Sequence, residues 1–182
     1  KGLLEGQLAA ADWTDRVWVV LAEIALGGKQ YADIDTLASE LVERSPQSRF
    51  LFQIRDVQGR RWKSQPEPDF DKARDYFQQV TLDEVGRGTE TAARCQFLIG
   101  ETLLLQNRRK EALTEYHRVY LNYQGADEWR MRGLFQAAGC ELELGDKNGA
   151  TRSYQDLVTE FPNTEQATQA AEKLKQIAPS SK

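Results

Sequence analysis

Apolar residues recur along most of the chain at intervals of three and four positions, which is the spacing that places side chains on one face of an α-helix. Between Ala92 and Gln124 two such runs are separated by a short polar turn. Each run is amphipathic and needs a partner to bury its apolar stripe. The pattern therefore predicts a hairpin of two packed helices.

This helical pair recurs at a nearly constant interval. Its marker on the second helix is a small residue followed one turn later by an aromatic residue, and it occurs at Ala73 and Phe77, Ala112 and Tyr116, and Ala150 and Tyr154. Ile34 occupies the earlier equivalent position, which makes the steps 39, 39 and 38 residues. Two helices of about 12 to 15 residues with their turns occupy roughly 34 to 40 residues, so one step corresponds to one helix pair.

The chain resembles tetratricopeptide-repeat proteins, whose pattern combines a glycine on the first helix with an alanine and an aromatic residue on the second, followed by a proline. Gly100, Ala112 and Tyr116 match it in the central pair, and Pro162 follows Ala150 at the expected distance. The resemblance implies an all-α, right-handed α-solenoid forming a single domain over residues 1–182. Its four pairs are expected at about 13–46, 47–86, 89–125 and 127–162, with a capping helix at about 164–177.

The second pair departs from the pattern. Gly59 is the candidate close-contact glycine, but it lies two residues farther from Ala73 than Gly100 lies from Ala112. The excess is expected in residues 64–69, where two prolines disfavour helix.

The first helix is expected from about Trp13 to Leu26, with Asp12 or Thr14 as its cap. Glycine 27 or 28 is expected to end it in a left-handed conformation. Residues 1–11 are interpreted as the tail of an earlier helix. Because the chain begins at Lys1 without a methionine, we expect a processed chain or an excerpt of a longer one.

Composition and charge narrow the class of protein. With 40% hydrophobic and 29% charged residues the chain is typical of a folded soluble protein. A net charge of −4 argues against nucleic acid as a partner, because phosphate binding needs a clustered basic surface. The longest apolar run, Val17–Ala22, is too short for direct membrane insertion by this segment.

The residues that carry chemistry in enzymes and metal sites are scarce. The only histidine, His117, has no cysteine or histidine at ligand spacing, so no metal site or cofactor is predicted. Cys95 and Cys140 are offset by about two helical turns, roughly 10 Å along the axis, so both are expected to be buried free thiols. Glu141 and Glu143 are interpreted as a solvated surface. An enzyme is not expected.

The more specific candidate is a binding groove. In the family that the chain resembles, first helices line a concave face that commonly binds extended peptides. Equivalent first-helix positions hold Arg16, Arg94 and Arg132, and in the second pair Arg55, or Gln53 if Gly59 sets the register. A column of guanidinium groups suits a partner with an acidic segment or a C-terminal carboxylate.

Neighbouring positions complete this candidate binding face. One turn farther along the first helices the chain places apolar Val19, Phe97 and Phe135, and beyond them Glu23 and Glu101. The alternative is that glutamates of adjacent repeats neutralise the arginines, which would then only stabilise the stack. Trp62 and Trp129 are either exposed anchors or packed repeat-edge residues. The basic run 108–110 is interpreted as a solvated turn.

Three functions remain open. The repeat style, with Ile-Gly-Glu at 99–101, Gly-Asp at 145–146 and EFPNTEQA at 160–167, resembles extracytoplasmic bacterial tetratricopeptide proteins of the Tol-Pal coordinator and outer-membrane assembly lipoprotein types. That resemblance implies a periplasmic protein-binding scaffold. The second possibility is a self-associating oligomerisation module that uses exposed first-helix faces. The third is the helical arm of a larger enzyme.

Overall fold

The computed structural model describes the backbone of residues 2–177 and the side chains of residues 13–177. Over this range the chain is α-helical with short connecting turns, which confirms the all-α helical-repeat class. The chain divides into two compact units, residues 1–87 and 88–182. The single domain over 1–182 stays a prediction.

The first unit contains two helical pairs. Its helices are α1 (Gly2–Gly27), α2 (Tyr31–Arg44), α3 (Leu51–Ser64) and α4 (Phe70–Leu82). Helix α1 packs against α2 and α3, and α3 packs against α4. The core between α1, α2 and α3 is built from fully buried aliphatic residues such as Ala22, Ile34, Leu41 and Val57.

The second unit contains two further pairs and a closing helix. Its helices are α5 (Glu90–Leu105), α6 (Arg109–Asn122), α7 (Asp127–Glu143), α8 (Lys147–Glu160) and α9 (Glu165–Ile177). Each packs against the next, and the first helices α5, α7 and α9 also contact one another in order. Ala167 and Ala170 bury one side of α9 against the α7–α8 core, as expected of a capping helix.

The close approach of paired helices explains the glycines. A Cβ on Gly100 would lie 2.8 Å from Cε1 of Tyr116, and one on Gly59 would lie 2.4 Å from Cε1 of Phe77. Both contacts are shorter than non-bonded carbon atoms allow, so only glycine lets the aromatic ring of the second helix sit there. Gly59 is therefore the equivalent of Gly100, and the predicted two-residue excess lies beyond it.

Three first helices end in the same way. The second residue after each helix is left-handed, with φ of 58° at Lys29, 63° at Asn107 and 85° at Gly145. In each turn the following amide donates to a carbonyl five residues earlier, at 2.8, 2.9 and 2.8 Å, which is a Schellman cap. These positions are separated by whole repeat steps, so the caps independently support the repeat register.

The second pair lacks this cap for a steric reason. In the register set by Gly59 its equivalent position is Pro66, whose ring fixes φ near −65° and forbids the left-handed conformation. The turn is rebuilt over residues 65–69, and Tyr31 Oη donates to the Ser64 carbonyl at 3.0 Å. The predicted position of the excess is confirmed.

Threonine side chains cap the start of two helices of the second unit. Thr89 Oγ1 accepts from the Ala92 amide at 3.2 Å, and Thr164 Oγ1 accepts from the Ala167 amide at 3.1 Å. These bonds satisfy amides that lack a partner in the first turn of α5 and α9.

The predictions for α1 are wrong in two respects. The helix runs without a break from Gly2, so neither Asp12 nor Thr14 caps it and residues 2–11 are not a separate helix. The left-handed residue is Lys29 rather than a glycine, because the helix continues through Gly27 and the cap geometry falls two positions later. The side chains of Leu3 and Leu8 lie outside the described residues.

Candidate functional site

A mixed aromatic and charged surface lies on the first helices of the second unit. We define the α5–α7 surface by its members on α5 and α7: Arg94, Phe97, Glu101, Trp129, Arg132 and Phe135. Residues 94, 97 and 101 share one face of α5, and residues 129, 132 and 135 share one face of α7, because each set is spaced by three or four positions.

The two helices are joined on this surface by aromatic contacts. The ring of Phe97 lies 5.5 Å from that of Trp129 on α7 and 5.3 Å from that of Tyr116 on α6. Phe97 is only 8% exposed, so it supports the surface from beneath. Phe135 is half-buried, with its ring edge-on to Tyr154 at 5.6 Å.

Arg132 is the most accessible cation of this surface whose surroundings are defined. Its side chain is 44% exposed, and its guanidinium carbon lies 4.8 Å from the Trp129 ring centroid. Its ion-pair partner is Glu128, one turn earlier on the same helix, at 2.7 Å. Such exposed pairs within a helix contribute only a few tenths of a kcal/mol, so a ligand carboxylate can replace Glu128 at little cost.

The other members are partly covered. Arg94 and Glu101 are both half-buried on α5. Trp129 is also half-buried, since Phe97 packs on its ring and Arg132 lies over it. The interpretation of Trp129 as a packed residue is therefore the better one, although its remaining exposure leaves it beside Arg132.

Arg130 on the same helix has a different role. It is 8% exposed and donates to Glu160 at 2.9 Å, to Asp127 at 3.1 Å and to the Tyr120 carbonyl at 3.1 Å. Its guanidinium carbon also lies 5.1 Å from the centroid of the Phe161 ring, within cation–π range. Because these contacts join α6, α7 and α8, Arg130 stabilises the fold and is not available to a ligand.

In the first unit, the equivalent positions are occupied differently. Arg16 is exposed on α1. With Gly59 setting the register, the equivalent on α3 is Gln53, and Arg55 instead pairs with Asp83 at 3.1 Å. Val19 is 7% exposed and contributes to the core.

An ion-pair network anchored on buried Asp56 joins α1 and α3. Arg60 donates to Asp56 at 3.0 Å and also bonds Glu23 of α1. Burial alone would lower the pKa of Arg60, but Asp56 and Glu23 raise it above its ordinary value. These contacts neutralise Arg60, which is not one of the column positions, so the choice between ligand contact and stack stabilisation for the arginine column stays a prediction.

A buried polar cluster in the second unit was not predicted. Glu141 is 7% exposed, accepts from Ser153 Oγ at 2.8 Å and lies 3.2 Å from His117 Nε2. Its interpretation as a solvated surface residue is wrong. The repeat register places Glu141 at the position of Leu103, which is buried, so the signal was present in the sequence.

The remaining chemistry-bearing residues offer no second site. Cys95 and Cys140 are buried free thiols, as predicted. Burial is the main cause that raises the pKa of Cys140 to about 11, and the negative charge of Glu143 adds to it. Within the described part of the chain no cluster of potential metal ligands is found. No helix among residues 2–177 combines the length and apolar character needed to cross a bilayer.

Comparison with known proteins identifies one repeat. Residues 132–164 match the family model of the tetratricopeptide repeat. The matched segment contains α7 from Arg132 onwards, the turn that follows it and α8. No match was found among curated proteins or among solved structures. The matched repeat, the helical pair α5–α6 before it and helix α9 after it support a tetratricopeptide-repeat protein. Such proteins typically serve as protein–protein interaction scaffolds and are typically non-enzymatic.

Proposed function

We propose that this chain is a non-enzymatic scaffold that binds a protein segment, and that the α5–α7 surface receives a carboxylate-bearing part of that segment. The observation that carries the proposal is the exposed guanidinium of Arg132, which lies over the Trp129 ring and, among the described residues, forms its ion pair with a glutamate of its own helix. The contact with the Trp129 ring restrains the guanidinium at the surface, where it can bind a carboxylate through two N–H groups.

The chemistry of the surface favours an acidic peptide over nucleic acid. Glu101 and Glu128 lie on the same helices as Arg94 and Arg132, so the surface alternates in sign and would repel a continuous phosphate backbone. A partner with a carboxylate beside an apolar residue would meet the arginine and the edge of Phe135 together. Hydrogen bonds to charged groups contribute about 1.5–3 kcal/mol each.

Affinity capture tests this proposal. Native chain and the variants Arg132→Glu and Arg94→Glu/Arg132→Glu are immobilised, exposed to extract of the source cell, and the retained proteins are identified by mass spectrometry. Arg118→Glu is the matched control, because Arg118 is 54% exposed on α6 and pairs within its own helix with Glu115. Circular dichroism checks that every variant is folded.

The outcomes separate the alternatives. A partner retained by native chain and by Arg118→Glu but lost from both Arg132 variants supports the α5–α7 surface. We expect a loss of roughly a hundredfold in affinity, which is about 3 kcal/mol. A partner that binds all variants equally would show that these arginines only stabilise the stack.

We further propose an extracytoplasmic setting, supported by the resemblance of the repeat style to bacterial envelope proteins. Accessibility of an epitope-tagged chain to protease added to cells with a permeabilised outer membrane tests this. Degradation with an intact cytoplasmic marker supports the proposal, and protection until the inner membrane is lysed contradicts it.

A further inference from the structure

One face of α1 in the first unit is apolar and exposed to an unusual degree. Trp13 is 68% exposed, Val17 51%, Val20 49%, Leu21 41% and Ile24 62%. We call these five residues the α1 face. Together they expose roughly 500 Å² of side chain, near the upper end of what a monomer usually leaves open.

The repeat register shows what kind of element this face accepts. The positions of Val17, Leu21 and Ile24 on α1 correspond on α7 to Gly133, Ala137 and Cys140, all of which are buried. Helix α6 packs on α7 there, and a Cβ on Gly133 would lie 3.0 Å from Cβ of Val119 on α6. The α1 face is therefore the side of a first helix that another helix covers.

The residues of the α1 face also follow the spacing of a helix that pairs with a copy of itself. Trp13, Val17, Val20 and Ile24 are separated by four, three and four positions, which is the a/d spacing of a helical seam. In an antiparallel pair Val17 lies opposite Val20 of the copy, and Trp13 lies opposite Ile24. Small side chains then meet at the centre and large ones close both ends.

The charges beside the seam complement each other in the same arrangement. Arg16 and Glu23 lie one residue before Val17 and Ile24 on one edge of the seam, and both are exposed. Glu23 pairs with Arg60 of its own chain, but its side chain remains 42% exposed and can accept a second guanidinium. An antiparallel copy brings Arg16 of each chain towards Glu23 of the other, twice by symmetry. We propose that a second copy of this chain docks on the α1 face, with the two α1 helices antiparallel about a two-fold axis between Val17 and Val20.

The area sets the expected strength. Two α1 faces bury roughly 1,000 Å² in total, which is at the lower limit of specific interfaces. We therefore expect a weak dimer with a dissociation constant in the micromolar range. This inference does not depend on the α5–α7 surface, which belongs to the other unit.

Sedimentation velocity over roughly 1–200 μM tests the dimer, since this range brackets a micromolar dissociation constant. Native chain should pass from monomer to dimer, and Val17→Glu/Val20→Glu should remain monomeric over the whole range. The control Leu121→Glu changes a residue of α6 that is 62% exposed, and it should dimerise like native chain. A dimer unaffected by Val17→Glu/Val20→Glu would overturn the proposal.

Cysteine cross-linking tests the orientation. Chains carrying Val17→Cys mixed with chains carrying Val20→Cys should form a mixed disulfide on mild oxidation, whereas each variant alone should not, because both native cysteines are buried. Efficient linking of Val20→Cys to itself would overturn the antiparallel arrangement. Native chain that stays monomeric but binds a peptide of residues 109–122 on the α1 face would assign that face to a different helix and overturn the second copy.

Discussion

The tight crossing of α3 and α4 can be tested by adding one methyl group. In Gly59→Ala the new Cβ would lie 2.4 Å from Cε1 and 2.6 Å from Cδ1 of Phe77. Phe77 is fully buried, so its ring has no free space into which to move. Gly139→Ala in α7 is the matched control, because a Cβ there meets nothing within 4 Å.

The two substitutions are expected to change the free energy of unfolding in opposite directions. Alanine in place of glycine in a helix interior contributes about 1 kcal/mol of stability. At Gly139 that gain is unopposed, whereas overpacking at Gly59 costs about 1–3 kcal/mol. We therefore expect Gly139→Ala to be about 1 kcal/mol more stable than native chain and Gly59→Ala to be about 1 kcal/mol less stable.

Urea unfolding followed by circular dichroism measures the shift in midpoint, and hydrogen exchange in α3 and α4 localises it to the first unit. In Phe77→Leu the ring is gone, so adding Gly59→Ala on that background should be less costly than in native chain. The coupling between the two sites is expected to be about 1 kcal/mol or more. If Gly59→Ala stabilised the chain as Gly139→Ala does, the proposed close crossing would be refuted.

Three further predictions concern the caps and the buried polar groups. Because both positions have positive φ, Lys29→Gly should stabilise the chain and Gly145→Ala should destabilise it, each by about 1 kcal/mol as measured by urea unfolding; shifts of the same sign would contradict the shared cap. Glu141→Ala should cost about 1–3 kcal/mol, since it leaves Ser153 without its acceptor, whereas Glu141→Leu with Ser153→Ala should cost less; equal unfolding midpoints would be inconsistent with a buried hydrogen bond. Burial raises the pKa of Cys140 from 9.0 to about 11, so its contribution to stability is complete below pH 9 and is lost as the pH rises to 11. Urea midpoints between pH 8 and pH 11 should therefore fall less in Cys140→Ala than in native chain, and identical profiles would contradict this assignment.

The repeat register was predictable because it depends on local sterics that recur. The pairs Ala112–Tyr116 and Ala150–Tyr154 mark where helices cross, and the structure buries all four residues. The position of Gly59 resolved the ambiguous second pair, since its contact with Phe77 repeats that of Gly100 with Tyr116. Such pairwise packing needs no knowledge of distant elements.

The errors arose where the outcome depends on a neighbour or on a missing constraint. Asp12 and Thr14 are good cap residues, but no breaker stops the helix at that point, and α1 continues through both. Lys29 takes a conformation that glycine usually provides, because the cap hydrogen bond falls at that position. The register placed Glu141 at the buried position of Leu103, but it did not show that Ser153 of α8 supplies the hydrogen bond that lets a carboxylate occupy this position.

The candidate site was predicted in part. The register alone located Arg94 and Arg132 at equivalent positions of α5 and α7. It did not reveal that Trp129 contacts Phe97 and lies under Arg132, because that arrangement depends on the approach of two helices that are not paired with each other. Whether the surface binds a partner remains the proposal to be tested.

The most direct measurement is a hydrogen-exchange footprint of the captured partner on the native chain. Slower exchange on binding, concentrated in residues 94–104 and 132–143 with α6 and α8 unchanged, is the result that the account predicts. Protection confined to α6 and α8 would contradict it, because the partner would then occupy the second helices and the α5–α7 surface would have only a structural role.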